Sequence, residues 1–185
     1  MFINIEGPDL SGKTIIAKEL AIRLKGQYYH EPTFTSEKAD KLNQPGINPW
    51  IREYYFLKDR MKNQSRYSIP NTSIVLDRYI LSGLAYARVF SPQVLEMISS
   101  IYSLSDFKQP DVVFYIKTDL SFNYKMSQLR GEVIDLKQIE KLQNAFYDSF
   151  EFLRIKNIPF FIVNNDEDKL EKTIDVIQHH LIEIS

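Results

Sequence analysis

The chain has 185 residues, of which 44% are hydrophobic and 25% charged, with a formal net charge of −1. This balance fits one globular domain spanning 1–185 and provides no global basic field for long nucleic acid. There is no cysteine, so disulfide frameworks and thiolate metal sites are excluded. No run reaches the roughly 18 apolar residues of a membrane-spanning helix. Met1–Glu6 lacks the basic and apolar regions of a signal peptide. A cytoplasmic location and no membrane partner are expected.

The elements alternate between short apolar runs and longer helical stretches. Phe2–Glu6 reads as a strand that runs into a glycine loop. A helix follows, with Ile16, Leu20 and Leu24 on one face and Gly26 placed to stop it. A short strand near Gln27–His30 ends at Glu31-Pro32. A brief helix is expected around Glu37–Leu42, and Pro45-Gly46 and Asn48-Pro49 break the chain. A helix then runs from about Trp50 to Gln64. Ile74–Asp77 is a buried strand. Helices are expected near Tyr79–Val89 and Gln93–Tyr102, the second with Ser91 as N-cap and Pro92 at its first position. Val112–Ile116 is continuously apolar, as in a parallel strand covered on both faces. A helix near Leu120–Leu129 precedes Arg130-Gly131-Glu132. A long amphipathic helix carries Ile139, Leu142, Phe146, Phe150 and Leu153. Pro159 introduces a strand over Phe160–Val163, and a last helix carries Leu170, Ile174, Ile177 and Leu181. This order predicts an α/β fold: a three-layer sandwich with a five-stranded parallel sheet flanked by helices. Consecutive helical positions point about 100° apart, so His179-His180 is a poor chelate and reads as surface.

Gly7-Pro8-Asp9-Leu10-Ser11-Gly12-Lys13-Thr14 meets every fixed position of G-x-x-x-x-G-K-[ST]. It also lies between a strand and a helix, as that motif requires. Such a loop turns its backbone N–H groups toward phosphate oxygens, with the helix dipole behind them. Lys13 supplies a charge for the β- and γ-phosphates, and Thr14 a hydroxyl for Mg²⁺. The loop alone predicts only that a nucleoside triphosphate binds. The chain has no Asn-Lys-x-Asp guanine clamp, and its length favours a small kinase. Asp77-Arg78-Tyr79 ends a buried strand on the side where such sheets bind ligands. From position alone, Asp77 and Arg78 read either as metal and phosphate handles or as an N-cap beside a surface arginine. Phe56 and Arg60 share a helix face. They read either as a stacking ring with a hydrogen-bond donor or as a core residue with a solvated one.

Together these residues resemble the thymidylate kinase family. Glu6-Gly7-Pro8-Asp9, Asp77-Arg78-Tyr79-Ile80-Leu81-Ser82-Gly83-Leu84-Ala85-Tyr86, Pro110-Asp111, and Arg130-Gly131-Glu132 with Asp135 match its motifs in order. The resemblance implies transfer of the γ-phosphoryl of ATP to a deoxynucleoside monophosphate, dTMP first, with Mg²⁺ as cofactor and a homodimer as the assembly. It implies that Lys13, Arg78, Arg130 and Asp9 serve catalysis. Phe56 and Arg60 would then bind thymine and Ser82 face the base. Tyr86 would exclude a 2′-hydroxyl, Glu31 would belong to the substrate site, and Thr14 and Asp77 would hold the metal. A lid at about 124–137 would close on ATP.

The chain also departs from the family. His30-Glu31-Pro32-Thr33-Phe34-Thr35 replaces an Arg-Glu-Pro-Gly-Gly-Thr run. Leu10 and Ser11 stand where some members place an arginine, leaving that work to Lys125 and Arg130 of the lid. Gly83 stands at a base-reading position. Two alternatives remain. In a deoxynucleoside kinase, Glu31 would act as base for a 5′-hydroxyl. In a weakly active nucleotide-binding module, the loop would bind without turnover.

Overall fold

The computed structural model describes residues 1–44, 46–104, 107–165 and 169–184. Its strands are β1 (Phe2–Glu6), β2 (Gln27–His30), β3 (Ile74–Asp77), β4 (Val112–Lys117) and β5 (Phe160–Asn164). They form one parallel sheet in the order β2-β3-β1-β4-β5. The helices are α1 (Lys13–Arg23), α2 (Ser36–Leu42), α3 (Pro49–Asn63), α4 (Ile80–Phe90), α5 (Leu95–Tyr102), α6 (Leu120–Arg130), α7 (Leu136–Ile155) and α8 (Leu170–Glu183). The expected α/β sandwich is therefore present. The expected break at Pro45 lies outside the described residues.

Strand alternation divides the core in two. Phe2, Ile74, Leu76, Val113 and Tyr115 pack on α4, α5 and α7. Ile3, Ile5, Val75, Val112, Phe114 and Ile116 face α1 and α8. Asp111 fixes the entry to β4 by accepting the Phe2 N–H at 2.6 Å, which ties the start of β4 to β1.

Helix ends differ from the sequence expectation where backbone geometry overrides the residue type. Helix α1 ends with Lys25, not Gly26, in the left-handed region (φ 49°). Lys25 N–H bonds Ile22 O at 3.0 Å and Gly26 N–H bonds Ala21 O at 2.9 Å, the paired bonds of a Schellman end. Ser91 does not cap a helix through its side chain. It precedes a 3₁₀ turn at Pro92–Val94, and among the described residues its buried hydroxyl has no hydrogen-bond partner. Helix α3 runs on into a 3₁₀ turn at Gln64–Ser68. Among the described residues, no helix is long and apolar enough to cross a membrane.

Candidate active site

The C-terminal ends of β1 and β3 and the N-terminal ends of α1 and α4 meet at one edge of the sheet, the place where a doubly wound fold leaves a crevice. Between β1 and α1 the chain curls through Leu10 (φ 64°) and Gly12 (φ 82°). A Cβ at position 12 would meet Asn165 Nδ2 at 2.7 Å as well as a left-handed backbone, so only glycine fits. Asn165 braces this turn. Its amide donates to Ser11 O at 2.9 Å, and its carbonyl oxygen accepts from Thr173 on α8 at 3.1 Å. Lys13 folds back over the loop to donate to Pro8 O at 2.9 Å. Burial pushes the Lys13 ammonium down, and Arg78 adds to this against the pull of Asp9 and Asp77, leaving it at about 8.

Asp77 is not a helix cap. Tyr79 occupies the cap position of α4, and Asp77 Oδ2 accepts the Thr14 hydroxyl at 2.6 Å, with His30 Nδ1 at 3.1 Å. Burial opposes ionisation of Asp77, but the His30 bond and the charges of Lys13 and Arg78 outweigh it and hold the carboxyl below its usual range. Among the described residues its Oδ1 is buried without a hydrogen bond, and the Tyr28 hydroxyl lies near enough for the Asp77 carboxylate to oppose its ionisation. A hydroxyl and an ionised carboxylate with a spare oxygen, beside a phosphate loop, suit a hard divalent cation such as Mg²⁺.

Arg78 adopts a left-handed backbone (φ 67°), unusual for a side chain of this size. Its guanidinium donates to Tyr86 OH at 3.2 Å and pairs closely with Asp9, and Tyr86 OH in turn donates to Asp9 Oδ2 at 2.6 Å. Partial enclosure would raise the Asp9 carboxyl, but Arg78 and Lys13 outweigh it and hold it at about 2.

Two cavities share Arg78 and Asp9. One, of about 250 Å³, is lined by Leu10, Gly12, Lys13, Thr14, His30 and Arg130. Arg130, at the end of α6, thus reaches the rim of the phosphate loop. Lys125 is exposed and lies outside this lining.

The second cavity, of about 170 Å³, has a wall from α3 made by Arg52, Glu53, Phe56 and Arg60, faced by Ser82, Gly83 and Tyr86 of α4. Phe56 carries the Arg52 guanidinium 4.8 Å from its ring centre. Arg60 donates to Tyr102 OH and faces Glu31 Oε2 at 3.0 Å. Burial opposes its charge, but Tyr102, Glu31 and Glu53 outweigh it and hold the guanidinium protonated. A Cβ on Gly83 would meet Tyr102 OH at 2.3 Å, so Gly83 makes room for the hydroxyl that orients Arg60. Ser82 lines the cavity, with its hydroxyl given to the buried Glu6.

The structure does not bring Glu31 to the cavity wall. It is fully buried behind Arg60 and also accepts from Tyr67 OH. Burial pushes the Glu31 carboxyl up, Arg60 and Tyr67 pull it back, and it rests at about 7.

Arg52, Glu53, Tyr102 and Asn165 escaped the sequence reading. Arg52 and Glu53 look like the solvated start of a helix, and Tyr102 and Asn165 lie far in sequence from the residues they hold. A signal did exist in α3, where Arg52, Glu53 and Arg60 fall beside Phe56 at helical spacing. His180 stacks on Phe161 with ring centres 4.1 Å apart. Among the described residues no group of three or more His, Asp or Glu side chains is placed to hold a metal ion.

The sequence model of a family described as thymidylate kinase matches residues 5–174. A probable thymidylate kinase of Methanococcus maripaludis (strain C6) is 27% identical over 98% of this chain and 95% of its own length. The thymidylate kinase of Mycoplasmopsis pulmonis is 26% identical over 97% and 88%. The M. mycoides deoxyadenosine kinase, solved with dCMP and dCDP, superposes with a TM-score of 0.79 at 19% identity, covering 99% of this chain and 100% of its own. The Candida albicans thymidylate kinase superposes with a TM-score of 0.73 at 20% identity, covering 98% and 91%. At these identities the superpositions establish the P-loop kinase fold alone. The motifs, the two adjoining cavities and the near full-length family match converge: the chain belongs to the thymidylate kinase family.

Proposed function

We propose that this chain transfers the γ-phosphoryl of ATP to the 5′-phosphate of a deoxynucleoside monophosphate, with dTMP giving dTDP. The observation that carries this reading is the sharing of Arg78 and Asp9 by a phosphate-loop cavity and a second cavity walled by Phe56, Arg60 and Tyr86. An oxygen of the acceptor phosphate attacks the γ-phosphorus at that junction, and the bond to the β-phosphate oxygen breaks to release ADP. Lys13 and the loop N–H groups hold the donor phosphates. Arg78 bridges toward the acceptor, and Arg130 closes on the donor with the lid at 124–137. Positive groups placed where charge develops lower the barrier without reorganising at the moment of reaction. Thr14 and Asp77 would hold Mg²⁺, which neutralises charge on the transferring phosphates. Tyr86 stands against the sugar, and Phe56 and Arg60 take the base.

An acceptor phosphate is already anionic and needs no base. Glu31 is buried and engaged by Arg60 and Tyr67, which fits a phosphate acceptor better than a 5′-hydroxyl. The test is a coupled ADP assay with dTMP, dUMP, dCMP and unphosphorylated thymidine. Turnover with dTMP above dCMP and none with thymidine is expected. Turnover with thymidine alone would make the protein a nucleoside kinase, and none with any acceptor a binding module. We also propose a homodimer, supported by the exposed Trp50, Ile51, Tyr54 and Met61 on α3. Sedimentation equilibrium at twice the chain mass is the expected result.

A further inference from the structure

Helix α3 turns Glu53, Phe56 and Arg60 toward one cavity at i, i+3 and i+7. Glu53 is 1% exposed, and no sequence motif singles it out. Its Oε1 accepts from Arg52 Nη1. Arg52 is fixed in turn by Asn43 Oδ1, at 3.0 Å from Nη2 and 3.3 Å from Nε. Among the described residues no donor meets Glu53 Oε2, and that oxygen is not sealed off, because Glu53 lines the cavity. A carboxyl oxygen without a partner on a side chain this buried calls for a hydrogen-bond donor. Arg60, further along the same face, can only donate. The wall therefore offers an acceptor and a donor on either side of an aromatic ring.

Thymine's Watson–Crick edge carries the complement of that pair, an N3–H donor beside the O4 acceptor. We infer that Glu53 is a specificity-determining residue whose Oε2 accepts the N3–H of thymine while Arg60 donates to O4. This rests on thymidylate as the acceptor. Cytosine mismatches both groups in this register. Its bare N3 would face the carboxylate, and its amino group would face the guanidinium. Arg52 fixes the carboxylate's direction through its other oxygen, so base choice is set by two opposed charges instead of one.

The experiment is a cycle of protein and ligand changes on the full chain, read as equilibrium affinity for dTMP and for N3-methyl-dTMP by calorimetry. Wild type is expected to lose tenfold to a hundredfold on N3-methylation, the range for stranding a buried polar group. Glu53→Met keeps the side chain's length without an acceptor. It should bind both ligands weakly, with a ratio within about threefold, so the two changes are non-additive. An equal methylation penalty in wild type and variant would mean that another group excludes the methyl, and would overturn the inference. So would unimpaired binding of N3-methyl-dTMP by wild type. Wild type that ignores dTMP but binds another deoxynucleoside monophosphate would overturn the thymidylate reading and this inference together. If circular dichroism shows Glu53→Met unfolded, Glu53→Gln replaces it. That amide keeps an acceptor without the charge, and the methylation penalty should fall between those of wild type and an acceptor-free wall. An unchanged penalty there overturns the inference as well.

Discussion

Arg60→Met removes the guanidinium that faces Glu31 at 3.0 Å while keeping most of the side chain's bulk. Both groups are buried, Arg60 at 4% exposure and Glu31 at 0%. In the wild type, burial raises the Glu31 carboxyl from an ordinary 4.5 to about 7, against the opposing pull of Arg60. Without Arg60 that pull is gone, and the folded-state value climbs above 7. A carboxyl raised on folding gives its full stability below its unfolded value and loses it as pH rises through its folded value. The wild type therefore stops losing stability from this group near pH 7, and the variant continues to lose it. Each pH unit in that gap is worth about 1.4 kcal/mol. The deficit of Arg60→Met, about 3 kcal/mol for a broken buried pair, should be larger at pH 8 than at pH 6 by about 1 kcal/mol. That increment corresponds to about 2–4 °C in Tm for a domain of this size. The assay is thermal unfolding by circular dichroism at both pH values. In the double variant Arg60→Met, Glu31→Gln, the Glu31 carboxyl is gone and the increment it supplies should vanish. Equal deficits at pH 6 and pH 8, or an increment that survives in the double variant, would refute the reasoning.

Lys13→Ala should lower kcat by about a hundredfold to a thousandfold with the melting curve intact, because it removes a charge from the phosphate loop; near-normal turnover would contradict the assignment of the loop. Tyr86→Ala should raise kcat/KM for ribonucleotide acceptors relative to deoxy ones, and an unchanged ratio would make Tyr86 a packing residue only. Gly83→Ala should cost about 1–3 kcal/mol of stability and weaken dTMP binding more than ATP binding. Its Cβ would lie 2.3 Å from Tyr102 OH and push away the group that orients Arg60. Equal weakening of both ligands would show that Tyr102 does not act through Arg60.

The sheet was legible because its evidence is local. Val112–Ile116 is apolar throughout, and Ile74–Asp77 and Phe2–Glu6 stand between turn and loop signals. The phosphate loop was legible because its chemistry fixes residue types at fixed spacing. The base end of the second cavity was only half legible. Phe56 and Arg60 stand out in sequence, but Arg52 and Glu53 look like any polar helix surface. A polar helix face lining a cavity and one facing water have the same periodicity. Only tertiary packing against Pro32, Ala39 and α4 distinguishes them. Tyr102 was hidden for another reason. It looks like a core aromatic, and its hydroxyl matters only because position 83 on another helix lacks a side chain. Glu31 carries the opposite lesson, since a carboxylate in a motif position can serve the site from behind, through the arginine it faces.

Arg78 shows how the two cavities become one site. Its left-handed backbone turns the guanidinium between the phosphate loop and α4, so that it reaches Asp9, Ser82 and Tyr86 at once. A side chain of this size reaches that conformation only when its surroundings over-determine it. Here they do, because Arg78 N–H bonds Ile5 O at 3.0 Å and Tyr79 N–H bonds the buried Glu6 at 2.8 Å. Without substrate, Asp9 neutralises the guanidinium, and a carboxylate held at about 2 stays charged throughout the physiological range. In the proposed reaction an acceptor phosphate entering from the second cavity would therefore compete with Asp9 for Arg78. It carries more charge and more acceptor oxygens than a carboxylate, and Tyr86 keeps Asp9 within reach when the guanidinium turns away. The exchange costs little because one anion replaces another on an arginine already in place. The same arginine would not be left bare between catalytic cycles.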